Sequence, residues 1–236
     1  MAKFKPRLWS SAEFPPGESC ANLAAMLDVA LTAFATFFVI IDPIGVVPLF
    51  MSLTPDMDSA QRRRIAVRAV IIATCILLTF TILGQPILKY LGISLPAFRI
   101  AGGLLLLLLA IDMVVVKSSG IRTTTPKEEE EAAHRPDITV FPLAIPLIAG
   151  PGSITSVILL HSQHDGHLLA QGVTAAVMIG VLIMTLLGLL SSGYIMKLLG
   201  VTGVNVITRV FGIILSALAV SNIVEGLRGS FPALAG

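Results

Sequence analysis

The polar residues that interrupt the apolar runs of this chain are few, and they carry whatever chemistry it performs. Asp42 stands in FFVIIDPIGVVPLF (37–50), followed closely by Pro43, Gly45 and Pro48. A second interruption, FPLAIPLIAGPGSITSVI (141–158), holds Pro142, Pro146, Gly150, Pro151 and Gly152, with Ser153 and Thr155 just after. A carboxylate at a bilayer centre costs about 2.5–3.5 kcal/mol on insertion scales, so Asp42 needs a protein donor or water. It suits a helix cap, a bound cation or an ammonium group. The stretch Gly150–Thr155 suits the opposite charge. A half-helix starting near Gly152 presents unbonded amides and about half a positive charge, with two hydroxyls beside it, which favours a carboxylate.

A second polar set comprises Arg99, Asp112, Arg209 and Asn222. Their order along the chain allows an Asp112–Arg209 pair linking the two halves of the molecule. The segment HSQHDGH (161–167) clusters His161, His164, Asp165 and His167, but reads as a polar connection, and no metal is expected there. No HExxH, nucleophile elbow, P-loop or CxxC occurs, so neither an enzyme nor a cofactor is expected. Without a nucleotide site, any pumping draws on ion or solute gradients.

The elements that position these residues follow from composition. Of the 236 residues, 55% are hydrophobic and 13% charged, where soluble domains carry about 25% charged. Mean hydropathy is +0.91. A globule in water cannot cover its outside with so few polar groups, whereas a bilayer removes that demand. The net charge of +2 and the short basic clusters argue against a nucleic-acid partner. Two cysteines, Cys20 and Cys75, give no disulfide framework.

Six apolar segments lie near 24–53, 65–88, 96–116, 138–160, 168–194 and 203–227, each reaching the roughly 20 residues a helix needs to cross the hydrocarbon. Backbone amides must be satisfied internally in lipid, so the segments must be helices, the first and fourth broken by their Pro and Gly residues. Arg62, Arg63, Arg64, Lys117, Arg122, Lys127, Arg135 and Lys197 follow spans one, three and five, which places those connections in the cytoplasm and both termini outside.

The two halves resemble each other. ILKYLG (87–92) matches IMKLLG (195–200), and Asp42-Pro43 falls on Gly150-Pro151, both at an offset of 108. Arg99-Ile-Ala-Gly102 matches Arg209-Val-Phe-Gly212 and Asp112 falls on Asn222, both at an offset of 110. A unit of three spans is odd, so the second copy must run through the membrane inverted, a plan found in secondary transporters with sites between the repeats. The expected fold class is an all-α membrane protein of six transmembrane helices in two inverted-topology three-helix repeats. Its parts are a polar tail (1–22), a first repeat (23–116), a cytoplasmic connection (117–137), a second repeat (138–228) and a C-terminal tail (229–236).

DPIGVVPLF in span one, RIAGGLLLLLLAIDM (99–113) in span three and PLAIPLIAGPGSIT (142–155) in span four resemble the MarC family of bacterial inner-membrane proteins, over nearly all of 24–228. That resemblance implies a transporter of small neutral amino acids, with Gly and Ala as typical substrates. Many members carry Asn where this chain has Asp42, so the extra carboxylate can alter substrate or coupling ion.

The expected function is therefore a secondary carrier or exporter of small neutral amino acids in the inner membrane, with both termini periplasmic. Its partners would be the solute, the bilayer, a coupling H⁺ or Na⁺, and in some assemblies a second copy. Asp42, Pro43, Gly45 and Pro48 would face Gly150, Pro151, Gly152, Ser153 and Thr155 across the binding site. The alternatives are a channel-like permease for another small solute and a non-transport scaffold or stress-linked protein.

Overall fold

The computed structural model describes residues 19–54, 57–115 and 139–231. The tail before Ser19 and the whole connection 117–137 fall outside them. Every element among the described residues is helical. They are α1 (Ser19–Ile41), α2 (Val46–Leu53), α3 (Ser59–Tyr90), α4 (Leu95–Val115), α5 (Thr139–Ile148), α6 (Pro151–Gln163), α7 (Leu168–Leu190) and α8 (Ser192–Ser230).

Five stretches are long and apolar enough to cross a membrane: Leu23–Leu53, Ser59–Tyr90, Leu95–Val115, Leu168–Leu190 and Ser192–Ser230. The expectation of six spans is thus met in five. The segment read as a broken fourth span is two short helices parted at Gly150 as expected, α5 of 10 residues and α6 of 13, neither long enough to cross by itself. At 1.5 Å per residue, α6 covers only about 20 Å, short of the roughly 30 Å hydrocarbon.

The breaks have local causes. In the first segment the helix stops at Ile41 and resumes at Val46, leaving 42–45 as a turn. Asp42 adopts φ 48°, the left-handed conformation that short polar side chains tolerate best after glycine. Pro48 was expected to share in this break, but lies in the first turn of α2. An amide there has no intrahelical partner to lose, so proline is tolerated. In the other segment Pro142 and Pro146 remove two amide donors from α5, which widens into a π-helix. Ala149 N–H reaches back five residues to Ala144 O at 2.9 Å. The chain then extends at Gly150 (φ −76°, ψ 173°) and α6 begins with Pro151.

Elsewhere the ends are well specified. Asp58 Oδ1 accepts the Gln61 amide at 2.7 Å and the Gln61 side chain accepts the Asp58 amide at 3.2 Å, a capping box that starts α3. The last helix turns sharply at Gly200, whose φ of 62° a side chain would disfavour. Thr74, Thr81, Thr174 and Thr185 within the spans donate their hydroxyls to the carbonyl four residues back, which satisfies these four.

Two apolar clusters divide the interior. One joins Phe37, Ile41 and Phe50 to residues of α3, α5, α6 and α7. The other joins Val39 and Ile40 to Leu106, Leu109, Ala110 and Met113 of α4 and to Leu215 and Ala219 of α8. The broken helices therefore run between an α3–α7 wall and an α4–α8 wall. Helices α4 and α8 lie antiparallel and very close. A Cβ on Gly103 would meet Ala219 O at 2.8 Å, one on Gly212 would meet Ala110 O at 3.0 Å, and one on Gly226 would meet Pro96 O at 2.8 Å. Lipid supplies no hydrophobic drive between helices, and small residues permit this backbone contact instead. Large apolar side chains cover the outside, including Leu27 and Leu31 on α1, Leu104, Leu108 and Ile111 on α4, and Leu187 on α7. A bilayer is the solvent that tolerates that surface.

Candidate functional site

Asp42 lies in the turn between α1 and α2. It is wholly buried, and its Oδ1 accepts the Gly45 amide at 2.9 Å. Its Oδ2 accepts the Thr208 hydroxyl from α8 at 3.2 Å. The Gly45 contact is a cap on the start of α2, three residues ahead, and the Thr208 contact ties the turn to the opposite wall. Gly45 is obligatory here, because a Cβ would run into the Asp42 carboxylate and sit 2.6 Å from Thr208 Oγ1. Pro43 O faces Gly188 of α7, where a Cβ would come within 3.1 Å. At its far end α2 is held by Arg62 of α3, whose Nε and Nη2 donate to Thr54 O at 3.1 and 2.7 Å.

The other break is more open, with Gly150 and Gly152 buried but Pro151 exposed. No side chain caps the α6 start at Gly150. Ser153 was expected to offer its hydroxyl to a ligand, but donates it to Ile148 O at 2.9 Å, closing the end of α5. Thr155 turns its methyl onto Gly102 of α4. A Cβ on Gly152 would meet Leu109 and Leu106 Cδ2 at 3.0 and 3.1 Å and Ile40 Cγ2 at 3.6 Å. At Gly152 the start of α6 thus packs on an apolar layer of Ile40, Leu106 and Leu109.

Above that layer lies a cavity of about 200 Å³ walled by α1, α4, α6 and α8. Ile40 and Leu106 form part of its lining, with Leu159, Leu160 and Leu218. Its polar lining is Thr32, Thr36, Ser156, Gln163, Ser221, Asn222 and Glu225. It opens toward the end of the bundle that holds the start of α1, the end of α6 and the end of α8. Of the residues singled out from sequence, only Asn222 lines it. Thr32, Thr36, Ser156, Gln163, Ser221 and Glu225 were missed, although their signal was present. They recur at intervals of three, four and seven within apolar helices, which puts each set on one face.

The inter-repeat polar residues pair differently from expectation. Arg99 Nη1 bonds Glu225 Oε2 at 3.1 Å, linking α4 to α8 at the cavity mouth. Arg99 Nε is buried with no partner. Asp112 makes no ion pair with Arg209 among the described residues. Its Oδ2 is buried without a partner, while Arg209 lies exposed. In the antiparallel pair, Asp112 stands level with Gly212, and Arg209 lies about one turn further toward the α4 end. In the His-rich turn the polar groups are spent separately. Asp165 Oδ2 accepts Gln85 Nε2 of α3 at 2.9 Å, and His164 Nδ1 bonds Leu160 O at 2.9 Å. No group of three or more metal-ligating side chains gathers among the described residues.

A chain whose described residues are all helical or connecting, with five spanning stretches among them, a lipid-type exterior and a small cavity within, is an integral, multi-pass membrane protein. It belongs to the MarC family, described as MarC family integral membrane protein, which matches residues 27–231. The UPF0056 membrane protein YvbG of Bacillus subtilis (strain 168) is 39% identical over 212 residues, covering 89% of this chain and 99% of that protein. The UPF0056 membrane protein MJ1677 of Methanocaldococcus jannaschii is 40% identical over 208 residues, covering 86% and 98%. The UPF0056 membrane protein YhcE of Escherichia coli (strain K12) is 36% identical over 202 residues, covering 85% and 93%. No solved structure matches the chain.

Proposed function

We propose that the protein is a secondary carrier of small neutral amino acids in a bacterial inner membrane, with the cavity mouth and both termini on the periplasmic side. One observation carries this reading: a small, mainly apolar cavity with a few hydroxyl, amide and carboxylate groups ends on an apolar layer packed against the start of a broken helix. The volume of about 200 Å³ falls below the roughly 300–1,000 Å³ of pockets for drug-sized ligands. It suits a solute with few heavy atoms. Hydroxyl and amide groups supply hydrogen bonds, while Leu159, Leu160 and Leu218 suit a short aliphatic side chain.

The layer of Ile40, Leu106 and Leu109 argues for a carrier over a channel-like permease, because it interrupts any water path from the cavity toward Asp42. Its parting would deliver a solute carboxylate to the amides at Gly152 and Ser153. The inverted repeat supports the same reading. The elements it makes equivalent are partners in space, α3 packing on α7 and α4 on α8, with the two broken segments between them. In this scheme α5 and α6 together are the fourth, interrupted span of a six-span plan, and rocking of one wall against the other alternates access. Coupling to H⁺ or Na⁺ is part of the proposal, as is a role in transport rather than catalysis.

Uptake of labelled alanine, glycine and serine into proteoliposomes, with and without proton or sodium gradients, tests it. Saturable uptake with counterflow is the expected result. Flat uptake across a broad amino-acid panel removes the substrate class, and linear uptake without counterflow removes the carrier.

A further inference from the structure

The cavity lining contains one ionisable side chain, Glu225, and that residue is engaged by Arg99 from across the α4–α8 seam. Their side chains are 48% and 21% exposed, so the pair is worth little on its own account and is easily opened. Arg99 also holds an unspent donor, since its Nε is buried with no partner. A guanidinium offers five donors in a planar fork that matches a carboxylate with two parallel bonds, and Glu225 occupies only the Nη1 position. Glu225 therefore lines the cavity mouth, and Arg99, outside the lining, reaches it across the seam through Nη1.

A zwitterion answers both. We infer that Arg99 and Glu225 form a split ion-pair clamp in which an incoming α-amino acid inserts between the partners. Its ammonium group takes Glu225, assisted by Asn222, and its carboxylate takes the Nη1 position of Arg99 that Glu225 releases. Charge is conserved in the exchange: one protein ion pair opens and two protein–solute pairs form. A simple amine satisfies Glu225 but leaves Arg99 without its partner. A simple carboxylate does the reverse. The clamp thus selects zwitterions over either half, and the neighbouring Leu218 and Leu160 limit what side chain follows. This deepens the carrier reading and rests on it, naming the groups that receive the solute before the apolar layer parts.

The test uses the full-length protein purified in detergent, with alanine, ethylamine and propionate as probes in calorimetric binding titrations. Alanine is expected to bind, and each half-probe to bind about tenfold or more weakly. Glu225→Gln and Arg99→Gln should each weaken alanine binding by about tenfold or more. Because either variant can also loosen the α4–α8 seam, the exchanged pair Arg99→Glu with Glu225→Arg serves as the control. It should recover thermal stability while alanine binding stays weak, since the charges then face the solute in reverse order. Full recovery of binding in the exchanged pair makes the contact purely structural and overturns the clamp. Equal binding of ethylamine or propionate and alanine overturns it too. If both single variants carry alanine into proteoliposomes as the wild type does, the clamp is wrong and the carrier reading stands. If the wild type binds no neutral amino acid, both fall.

Discussion

Replacing Asp42 by alanine and by asparagine separates what its geometry does from what its charge does. Asparagine keeps an oxygen that can accept the Gly45 amide, now 2.9 Å from Oδ1, and tolerates the φ of 48° found there. Its amide group can still meet Thr208, whose hydroxyl accepts as well as donates. Alanine loses all three. The left-handed backbone costs an ordinary residue about 1–2 kcal/mol. Leaving the buried Gly45 amide without an acceptor costs about 1–3 kcal/mol more. These overlap, so Asp42→Ala should be less stable than Asp42→Asn by about 2–4 kcal/mol. For a chain of this size that difference corresponds to about 5–15 °C in midpoint, on the scaling for soluble domains. Thermal unfolding of both variants in the same detergent measures it, and the Asp42→Asn protein should retain alanine uptake. Equal midpoints for the two would show that the turn at 42–45 does not depend on this cap, and the account of the first break would fail.

Three further outcomes follow from other contacts. Gly103→Ala and Gly226→Ala press a methyl onto a carbonyl oxygen 2.8 Å away, so each should cost about 1–3 kcal/mol, whereas Gly180→Ala, facing open space, should be neutral or stabilising. Unfolding midpoints of the three decide whether α4 and α8 touch along that seam. Arg62→Ala removes two charge-assisted bonds to Thr54 O and should destabilise by about 1–2 kcal/mol, the low end of the range because the guanidinium is partly solvated. An unchanged midpoint would mean that α2 needs no such anchor.

The Asp165 carboxyl is held below its ordinary 3.8, chiefly by the Gln85 hydrogen bond and further by the charge of Lys89. A depressed native value means the contact stabilises above the ordinary carboxyl range and fades as pH falls through the lowered value. The midpoint difference between the wild type and Gln85→Leu should therefore be present near neutral pH and vanish under strong acid. A difference that persists there would refute the assignment.

Much of the architecture was written locally. Apolar runs long enough for a bilayer, starts such as Asp58 with Gln61, and Pro and Gly at 43–45 and 150–152 are properties of neighbouring residues, and periodicity and backbone chemistry read them directly. Those same rules located both interruptions, though they counted Pro48 into the first. Pro48 is harmless because it landed in a first turn, and the second interruption, at Ala149 and Gly150, separates two short helices. The polar lining was decided only by tertiary packing. Thr36, Ser156, Asn222 and Glu225 come from three helices far apart in sequence, and nothing short-range says which faces meet. The partner of Arg99 was set in the same way, by the glycine contacts that fix how α8 lies against α4. Those contacts put Glu225 rather than Asn222 within reach and leave Arg209 away from Asp112. Sequence determines which segments enter the membrane and where their backbone is interrupted. Close packing of backbone on backbone determines which side chains share a cavity, because an ångström of helix displacement exchanges one polar neighbour for another.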